Sequence, residues 1–359
     1  MKIARIRSIA AYLPEGRSDN KELAQIFSNW TEEKIKRKIG IETRPIASAS
    51  ETALDLGARA AERLFEAGAV DRREIDFLVF CTQSPDYFLP SSACVLQNRL
   101  GLDVRCGAFD INLGCSGYVY GLGICKGLIE SGLASKVLFV TGETYSKYIN
   151  PKDRVTRPLF GDGGSATLLE CVEVEATSND VFGGEATLGP FEFGTDGSGA
   201  NMLIVEAGAA RLPKSPETAI ERSDSQAGLR SQEQLYMNGA GIFTFSIDVV
   251  PPLVKRFKKL AANRGLEIDA YVFHQANKFM LDRLREECGD LDPAKFFKNI
   301  ATRANTVSSS VPIAIIDAVR DGVVRPGALA LLVGFGVGLS WGAALVRFPD
   351  NFQVVPLEP

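Results

Sequence analysis

Histidine is nearly absent from this chain of 359 residues. Its single copy, His274, closes the run Val272-Phe273-His274-Gln275-Ala276-Asn277. Imidazole is the side chain whose ordinary pKa lies nearest neutrality, so that proton chemistry has one place to reside. Any pH dependence near neutrality is therefore expected from His274 or from the Cys115 thiol. Alone, a solitary histidine is more often a satisfied core or surface residue than a catalyst, and its surroundings have to decide.

Other absences narrow the field. The seven cysteines (81, 94, 106, 115, 125, 171 and 288) form no Cys-x-x-Cys and have no second histidine beside them, which argues against zinc. Six of them need no reading beyond packing as small apolar side chains. An odd cysteine count without a secretory leader fits a reducing cytoplasm. With 40 basic against 44 acidic residues the net charge is -4, so no electrostatic argument points to nucleic acid or an anionic membrane. The run Lys34-Ile35-Lys36-Arg37-Lys38 is the exception. It reads as a solvated helix face, with a phosphate-bearing ligand or an acidic carrier as the alternative. The start lacks a charged-then-apolar segment; Ile3 to Ile9 alternates with Arg5 and Arg7 as a strand does. The charge-free stretch Gly327 to Val346 has the length of a membrane span. Gly334, Gly336 and Gly338 divide it, however, into two buried strands joined by a glycine turn.

What is present is a pattern stated twice. Ile75-Asp76-Phe77-Leu78-Val79-Phe80 runs into Cys81, and Ile268-Asp269-Ala270-Tyr271-Val272-Phe273 runs into His274. Each follows apolar residues at helical spacing: Ala53, Leu56, Ala60, Leu64 and Ala67 before the first, Val250, Leu253, Val254, Phe257 and Leu260 before the second. Cys81 and Cys115 stand 34 positions apart, His274 and Asn305 stand 31. Each half then closes through a glycine-rich turn into a buried strand. The spacing predicts an α/β protein of two halves, 1–175 and 176–359, each with a mostly parallel sheet, and with 206–234 as a surface excursion. Halves packed about a pseudo-twofold axis bring equivalent strand ends together, and with them Cys115, His274 and Asn305.

Cys115 lies in Ala108-Phe109-Asp110-Ile111-Asn112-Leu113-Gly114-Cys115-Ser116-Gly117, a strand leading through small residues into a helix. A thiol at a helix N-terminus is expected to have its pKa lowered toward neutrality, and Gly114 and Gly117 to leave room for a substrate carbonyl. The alternative is a buried cysteine at a helix start and nothing more. A thiolate can accept an acyl group, while His274 and Asn305 can hold an enolate oxygen during loss of carbon dioxide from a malonyl-like thioester. A backbone N–H at Cys115 and another in Gly336-Val337-Gly338 suit a separate oxyanion hole for the tetrahedral steps.

Four motifs in this order carry a resemblance over nearly the whole chain to about Phe348. They are Cys115 in its Asp-(x)4-Cys-Ser-Gly setting, His274-Gln-Ala-Asn277, Asn305-Thr306-(x)2-Ser309-(x)2-Pro312, and Gly334-Phe-Gly-Val-Gly-Leu-Ser-Trp-Gly342. Together they resemble the β-ketoacyl-[acyl-carrier-protein] synthase type III family of thiolase-fold condensing enzymes. The resemblance implies two duplicated βαβαβαββ halves in a five-layered α-β-α-β-α architecture. It implies Cys115 as the acylated nucleophile, His274 and Asn305 as the decarboxylation and condensation pair, and Arg154, Gly239, Phe243 and Leu89 as substrate-binding residues. It further implies a cytoplasmic homodimer that needs no metal or redox cofactor. Its substrates would be an acyl-CoA or acyl-carrier protein and a malonyl-carrier protein, and its pathway fatty-acid or specialised acyl-chain biosynthesis. In such dimers the segment like Tyr87-Phe88-Leu89-Pro90-Ser91 reaches toward the partner's acyl pocket.

Housekeeping members stack the adenine of coenzyme A between a tryptophan and an arginine. Arg154 matches the arginine; Lys34 stands at the tryptophan's place, with Trp30 near but out of register. Ala240, Phe279 (beside Lys278) and Val337 replace an asparagine, a carrier-contacting arginine and a glycine common in the family. These departures imply a specialised homologue loaded from an acyl carrier protein. Two other readings stand beside condensation: acyl transfer from Cys115 to an oxygen or nitrogen nucleophile, and a non-catalytic subunit that holds a carrier protein.

Overall fold

The computed structural model describes residues 1–174, 187–224 and 228–357. Its two main sheets follow the repeat. In the first, the order is Gln353–Val354, Lys2–Tyr12, Gly163–Glu173, Lys136–Glu143, Phe77–Cys81, Gly107–Ile111. In the second it is Leu188–Thr195, Ser340–Arg347, Leu329–Gly336, Ala270–Phe273. A second-half counterpart of Gly107–Ile111 survives as one parallel bridge between Tyr271 and Phe296. The repeated aspartates do equivalent work. Asp76 accepts the backbone N–H groups of Ser135 and Lys136 at 2.7 and 3.0 Å, and Asp269 accepts that of Leu329 at 2.8 Å. Each thereby fixes the start of the strand beside its own.

The sheets are mixed, not mostly parallel as the spacing suggested. Phe77–Cys81 runs parallel to both neighbours and Ala270–Phe273 parallel to Leu329–Gly336. Gly163–Glu173 and Ser340–Arg347 pair antiparallel on both sides. The reason is connection length: three residues join Leu329–Gly336 to Ser340–Arg347, and so short a link permits only a hairpin.

Alternating side chains along each strand build the layers. Leu78, Phe80, Leu138 and Val140 face helices Ala53–Glu66 and Ser92–Arg99 on one outer side. Val79, Phe139, Val272 and Leu332 face inward, where helices Gly117–Glu130 and Ser310–Arg320 lie between the two sheets. Phe273, Leu331 and Val333 face helices Gly239–Ala262 and Lys278–Glu287 on the other outer side. The result is the five-layered α-β-α-β-α arrangement, with one central helix from each half.

The division expected at 175/176 lies outside the described residues. Within 206–234 the chain is not merely superficial: Thr218 and Ser231 are buried, and a short hairpin pairs Arg222–Asp224 with Gly228–Arg230. Among the described residues no helix is long and apolar enough to cross a membrane, and the charge-free stretch forms the antiparallel hairpin read from its glycines. The basic run lies on helix Glu32–Ile39, which buries Ile35 and Ile39 and leaves Lys36, Arg37 and Lys38 exposed.

Candidate active site

Strand Gly107–Ile111 ends just before Cys115, and helix Gly117–Glu130 begins just after it. The thiol sits where the glycine hairpin comes closest. A Cβ on Gly336 would stand 2.7 Å from Cys115 Cβ and 2.8 Å from its Sγ, so no other residue fits there. Gly336 also has φ +154, a region that glycine alone adopts readily. The backbone N–H of Val337 and that of Cys115 itself both act on the sulfur, the pair named for the oxyanion hole. Ser340 Oγ lies 2.7 Å from Ser116 Oγ and donates to the Val337 carbonyl at 2.7 Å, tying the hairpin to the nucleophile's turn. Gly114 and Gly117 make room for the protein, not for a substrate carbonyl. A Cβ at Gly114 would meet Gln83 Oε1 at 2.5 Å, and one at Gly117 the Cys81 sulfur at 2.5 Å.

His274 follows strand Ala270–Phe273, its backbone N–H held by the Val333 carbonyl at 2.7 Å. The buried ring stands edge-on to Phe335 (centroids 5.6 Å, interplanar 84°), with Nδ1 2.6 Å from Ser310 Oγ. Asn305 is held by the other half of the chain. Its N–H donates to the Leu159 carbonyl at 3.1 Å and its carbonyl accepts from Gly161 at 3.0 Å. Its Oδ1 accepts the Val307 N–H at 3.0 Å, which fixes the amide, and Nδ2 lies 3.5 Å from the Ala276 carbonyl. Ala304 (φ 55) and Val307 (φ 54) flank it in the left-handed region, which strains any residue with a Cβ and most of all a β-branched one. Strain on both sides of one amide, inside a buried loop, marks a position the fold holds against local preference.

Cys115, His274, Asn305 and Gly336 line one narrow cavity together with Gly239 and Phe335. Burial dominates its electrostatics. It pushes the Cys115 thiol up to about 12 against the backbone N–H of Val337, which overturns the lowering expected from a helix N-terminus. It pulls His274 from 6.5 down to about 3, against a hydrogen bond with the Val307 backbone. Neither group titrates near neutrality, contrary to expectation. Glu143 is instead raised by burial from 4.5 to about 8. The resting pair is thus a neutral thiol and a neutral imidazole.

Beyond the glycine hairpin lies a larger chamber of about 360 Å³, walled by Gln83, Tyr145, Tyr148, Leu203, Leu235 and Val337. The Tyr145 hydroxyl donates to Gln83 Oε1 at 2.6 Å. Leu89 does not line the Cys115 cavity of its own chain. With Tyr87 and Phe88 it is exposed (83%, 59% and 85%) at the rim of an outer chamber that shares Gln83 and Tyr148. Arg154 is exposed and donates to Ser28 Oγ at 3.0 Å, beside the turn carrying Trp30. Phe243, one turn beyond Gly239, stacks on the exposed Phe279 (5.4 Å, 28°). Lys34 Nζ donates to the Asn29 carbonyl at 2.8 Å, and Lys38 stands over the Trp30 ring at 5.7 Å. Of the six cysteines other than Cys115, Cys94 is exposed and so does not pack as an interior apolar side chain.

The motifs included Ser309 without a role and passed over Ser308 and Ser310, the hydroxyls that hold the site. Ser308, Ser309 and Ser310 each go to a different wall: Glu143 Oε1 at 2.8 Å, Thr141 Oγ1 at 2.7 Å and His274 Nδ1 at 2.6 Å. A signal existed, since three adjacent serines at a helix start lie two residues past Asn305 and Thr306. So did a lone acid, Glu143, at the end of the apolar strand Lys136–Glu143.

Comparison with known proteins is consistent across methods. Residues 109–189 match the family described as 3-oxoacyl-[acyl-carrier-protein (ACP)] synthase III, and residues 261–348 match its C-terminal part. The putative 3-oxoacyl-[acyl-carrier-protein] synthase 3 of Campylobacter jejuni is 35% identical over 353 residues, 97% of this chain and 95% of that protein. The β-ketoacyl-[acyl-carrier-protein] synthase III of Chlamydia caviae is 36% identical over 344 residues, 96% of each. A crystal structure of a 3-oxoacyl-(acyl-carrier-protein) synthase III, 47% identical, superposes with a TM-score of 0.90 over 96% of this chain and 100% of that one. A 3-oxoacyl-(acyl-carrier protein) synthase from Burkholderia xenovorans, 35% identical, gives 0.87 over 100% and 98%. A priming β-ketosynthase of a polyketide pathway, 30% identical, gives 0.81 over 97% of each.

Proposed function

The chain belongs to the 3-oxoacyl-[acyl-carrier-protein] synthase III family, and from that membership we propose how its own residues perform an acyl-transferring condensation. The Cys115 sulfur attacks a thioester carbonyl, the donor thiol leaves with the cysteine's proton, and an acyl-cysteine remains. A malonyl thioester then loses carbon dioxide. His274 and the Asn305 amide donate to the enolate oxygen as charge develops there. The enolate carbon attacks the acyl carbonyl, the Cys115 sulfur departs as thiolate and takes a proton from water, and a β-ketoacyl thioester leaves. Backbone N–H groups of Cys115 and Val337 hold the oxyanion in both tetrahedral steps.

The observation carrying this reading is that His274 and Asn305 share the Cys115 cavity while burial keeps the imidazole neutral. A neutral imidazole donates a hydrogen bond without first stripping a proton from the thiol. Because no atom changes oxidation state through an external acceptor and carbon dioxide release drives the bond formation, the chemistry needs neither metal nor redox cofactor. The acyl chain occupies the chamber walled by Gln83, Tyr145 and Tyr148. The pantetheine arm enters past Gly239 from a mouth with Arg154, Phe243 and the basic helix Glu32–Ile39, which suits coenzyme A or an acidic carrier protein. The exposed Tyr87-Phe88-Leu89 segment and the open outer chamber favour a homodimer in which this segment covers the partner's acyl chamber. A reducing cytoplasm suits a nucleophilic thiol. Transfer to an oxygen or nitrogen nucleophile is the second reading. The fixed Asn305 amide disfavours it, since simple transfer forms no enolate.

Intact-mass analysis after incubation with a panel of acyl-CoA and acyl-carrier donors tests the assignment. Wild type should gain one acyl mass and Cys115→Ala none. An adduct that persists in Cys115→Ala would overturn the nucleophile, and adducts from a single donor would identify the primer.

A further inference from the structure

The chamber assigned to the acyl chain has walls of two kinds. Leu203, Leu235 and Val337 are apolar, whereas Gln83, Asn112, Tyr145 and Tyr148 bring amides and hydroxyls. A plain alkyl chain gains nothing from the second kind, because filling the chamber strips water from polar groups that then find no partner. Gln83 shows this most clearly. Its backbone N–H is held by the Glu143 carboxyl at 3.1 Å, and its side-chain Oε1 accepts the Tyr145 hydroxyl at 2.6 Å. Tyr145 is itself buried and packs against Phe160, with ring centroids 5.3 Å apart. The amide is thus fixed at both ends, yet among the described residues its Nε2 meets no acceptor. Asn112 lines the same chamber three residues before Cys115, and its side-chain amide has no partner among the described residues either. Gln83 also stands close to the nucleophile. A Cβ on Gly114, the residue before Cys115, would lie 2.5 Å from Gln83 Oε1. Since consecutive Cα atoms are only about 3.8 Å apart, the amide is level with the first few carbons of a Cys115-bound acyl group and not with its far end.

We propose that the acyl group accepted by this chain carries a hydroxyl on one of its first carbons, and that the Gln83 amide selects it. With Oε1 taken by Tyr145, the Nε2 hydrogens are left for the substrate oxygen; with the amide turned over, its oxygen would be left instead. A hydroxyl serves either arrangement, because it both accepts and donates. A methyl group in the same place serves neither and leaves the amide desolvated and unpaired. The selection rests on Cys115 taking the acyl group and on the acyl chain lying in this chamber, and it deepens that reading by naming the substrate class.

Each enantiomer of 3-hydroxybutyryl-CoA, set against 3-methylbutyryl-CoA, tests this, since the donors differ only by a hydroxyl in place of a methyl group on one carbon. Time-resolved intact mass gives the rate constant for acylation of Cys115 by each, and their ratio cancels any general damage to the site. Wild type should favour the better hydroxyl donor about 10-fold or more. Gln83→Leu, which keeps the volume and removes the amide, should bring the ratio to about one or below. Because leucine leaves the Tyr145 hydroxyl without its acceptor, the double variant Gln83→Leu/Tyr145→Phe is measured beside it and should lose the preference equally. A wild-type ratio near or below one overturns the proposal, as does a preference that survives in both variants. Should the variants fail to fold, the wild-type ratio alone decides whether the hydroxyl is selected. Labelling of wild type by both donors without discrimination removes the hydroxyl selection and leaves the nucleophile standing, whereas the absence of an adduct from any acyl donor removes both.

Discussion

Glu143 and Ser308 join the two halves of the chain at the floor of the site: the serine hydroxyl donates to Oε1 at 2.8 Å across a fully buried contact. The same carboxyl group accepts the Gln83 N–H at 3.1 Å and the Ser84 hydroxyl at 3.0 Å, where strand Phe77–Cys81 runs out. Ser308 lies three residues past Asn305, and Gln83 packs on Gly114 beside Cys115. One carboxyl thus fixes the Asn305 loop and the strand end behind the nucleophile to a common point.

Burial raises that carboxyl from 4.5 to about 8, which fixes the sign of its effect on stability. Between those two values the folded chain holds a proton that the unfolded chain has released. Stability from this group is therefore complete below 4.5, falls as pH rises toward 8, and is level above it. The slope is at most ~1.4 kcal/mol per pH unit. Glu143→Gln has no proton to lose and keeps an acceptor for the Gln83 N–H. Its melting temperature should fall less than that of wild type from pH 5 to pH 8, and exceed it by a few degrees at pH 8. Parallel melting curves across that range would show that Glu143 does not titrate in the folded protein.

Asn305→Ala should separate the two half-reactions. Cys115 needs neither donor to accept an acyl group, so the adduct should still form. Malonyl decarboxylation should fall ~10²–10³-fold, the usual loss for one aimed donor. His274→Ala should show the same separation. Loss of acylation itself in His274→Ala would instead make the imidazole the thiol's activator, and full product formation by Asn305→Ala would end the enolate argument.

These residues were legible because the chain repeats itself. The match of Ile75–Phe80 to Ile268–Phe273 placed Cys81 and His274 at equivalent strand ends, and the twofold relation then gathered Cys115, His274 and Asn305. The electrostatics were not legible. A thiol before a helix predicts a lowered pKa from the local segment alone, whereas the rise comes from burial beneath Gly336 and Phe335, more than 200 residues away in sequence, with the Val337 N–H opposing it. Gly114 and Gly117 misled for the same reason, since their partners, Gln83 and Cys81, lie just past and at the end of a neighbouring strand. Mixed pairing of the sheets escaped because alternation of helices and strands reports layers, not strand direction. The three serines after Asn305 resemble one another in sequence, and only packing sends them to three walls.

The buried histidine also predicts what the pH profile lacks. With His274 at about 3, the imidazole is already neutral throughout the physiological range, and no further proton leaves it as pH rises. Decarboxylation by pre-acylated enzyme should therefore be flat from pH 5 to 7, with no inflection at 6.5. Above about 8, ionisation of Glu143 places a charge beneath Asn305 and against the developing enolate, so the rate should drop there in wild type and less in Glu143→Gln. An inflection near 6.5 that disappears in His274→Gln would show that the imidazole titrates in its ordinary range.

Gly336→Ala tests the close approach that defines the cavity. The added methyl would sit 2.8 Å from the Cys115 sulfur and 2.7 Å from its Cβ, well inside van der Waals contact. The backbone there has φ +154, which alanine adopts only under strain. Relief requires the hairpin to withdraw, and withdrawal carries the Val337 N–H away from the oxyanion position. Acylation of Cys115 should fall ~10²-fold or more from the lost donor, with a stability cost of ~1–3 kcal/mol from overpacking. Quench-flow mass spectrometry of the adduct and a denaturant melt measure the two separately. The change acts on the Val337 donor and not on Arg154, which we propose meets the thioester arm, so KM for the donor should change less than the acylation rate. A variant that acylates at the wild-type rate would mean that the Val337 N–H plays no part in that step.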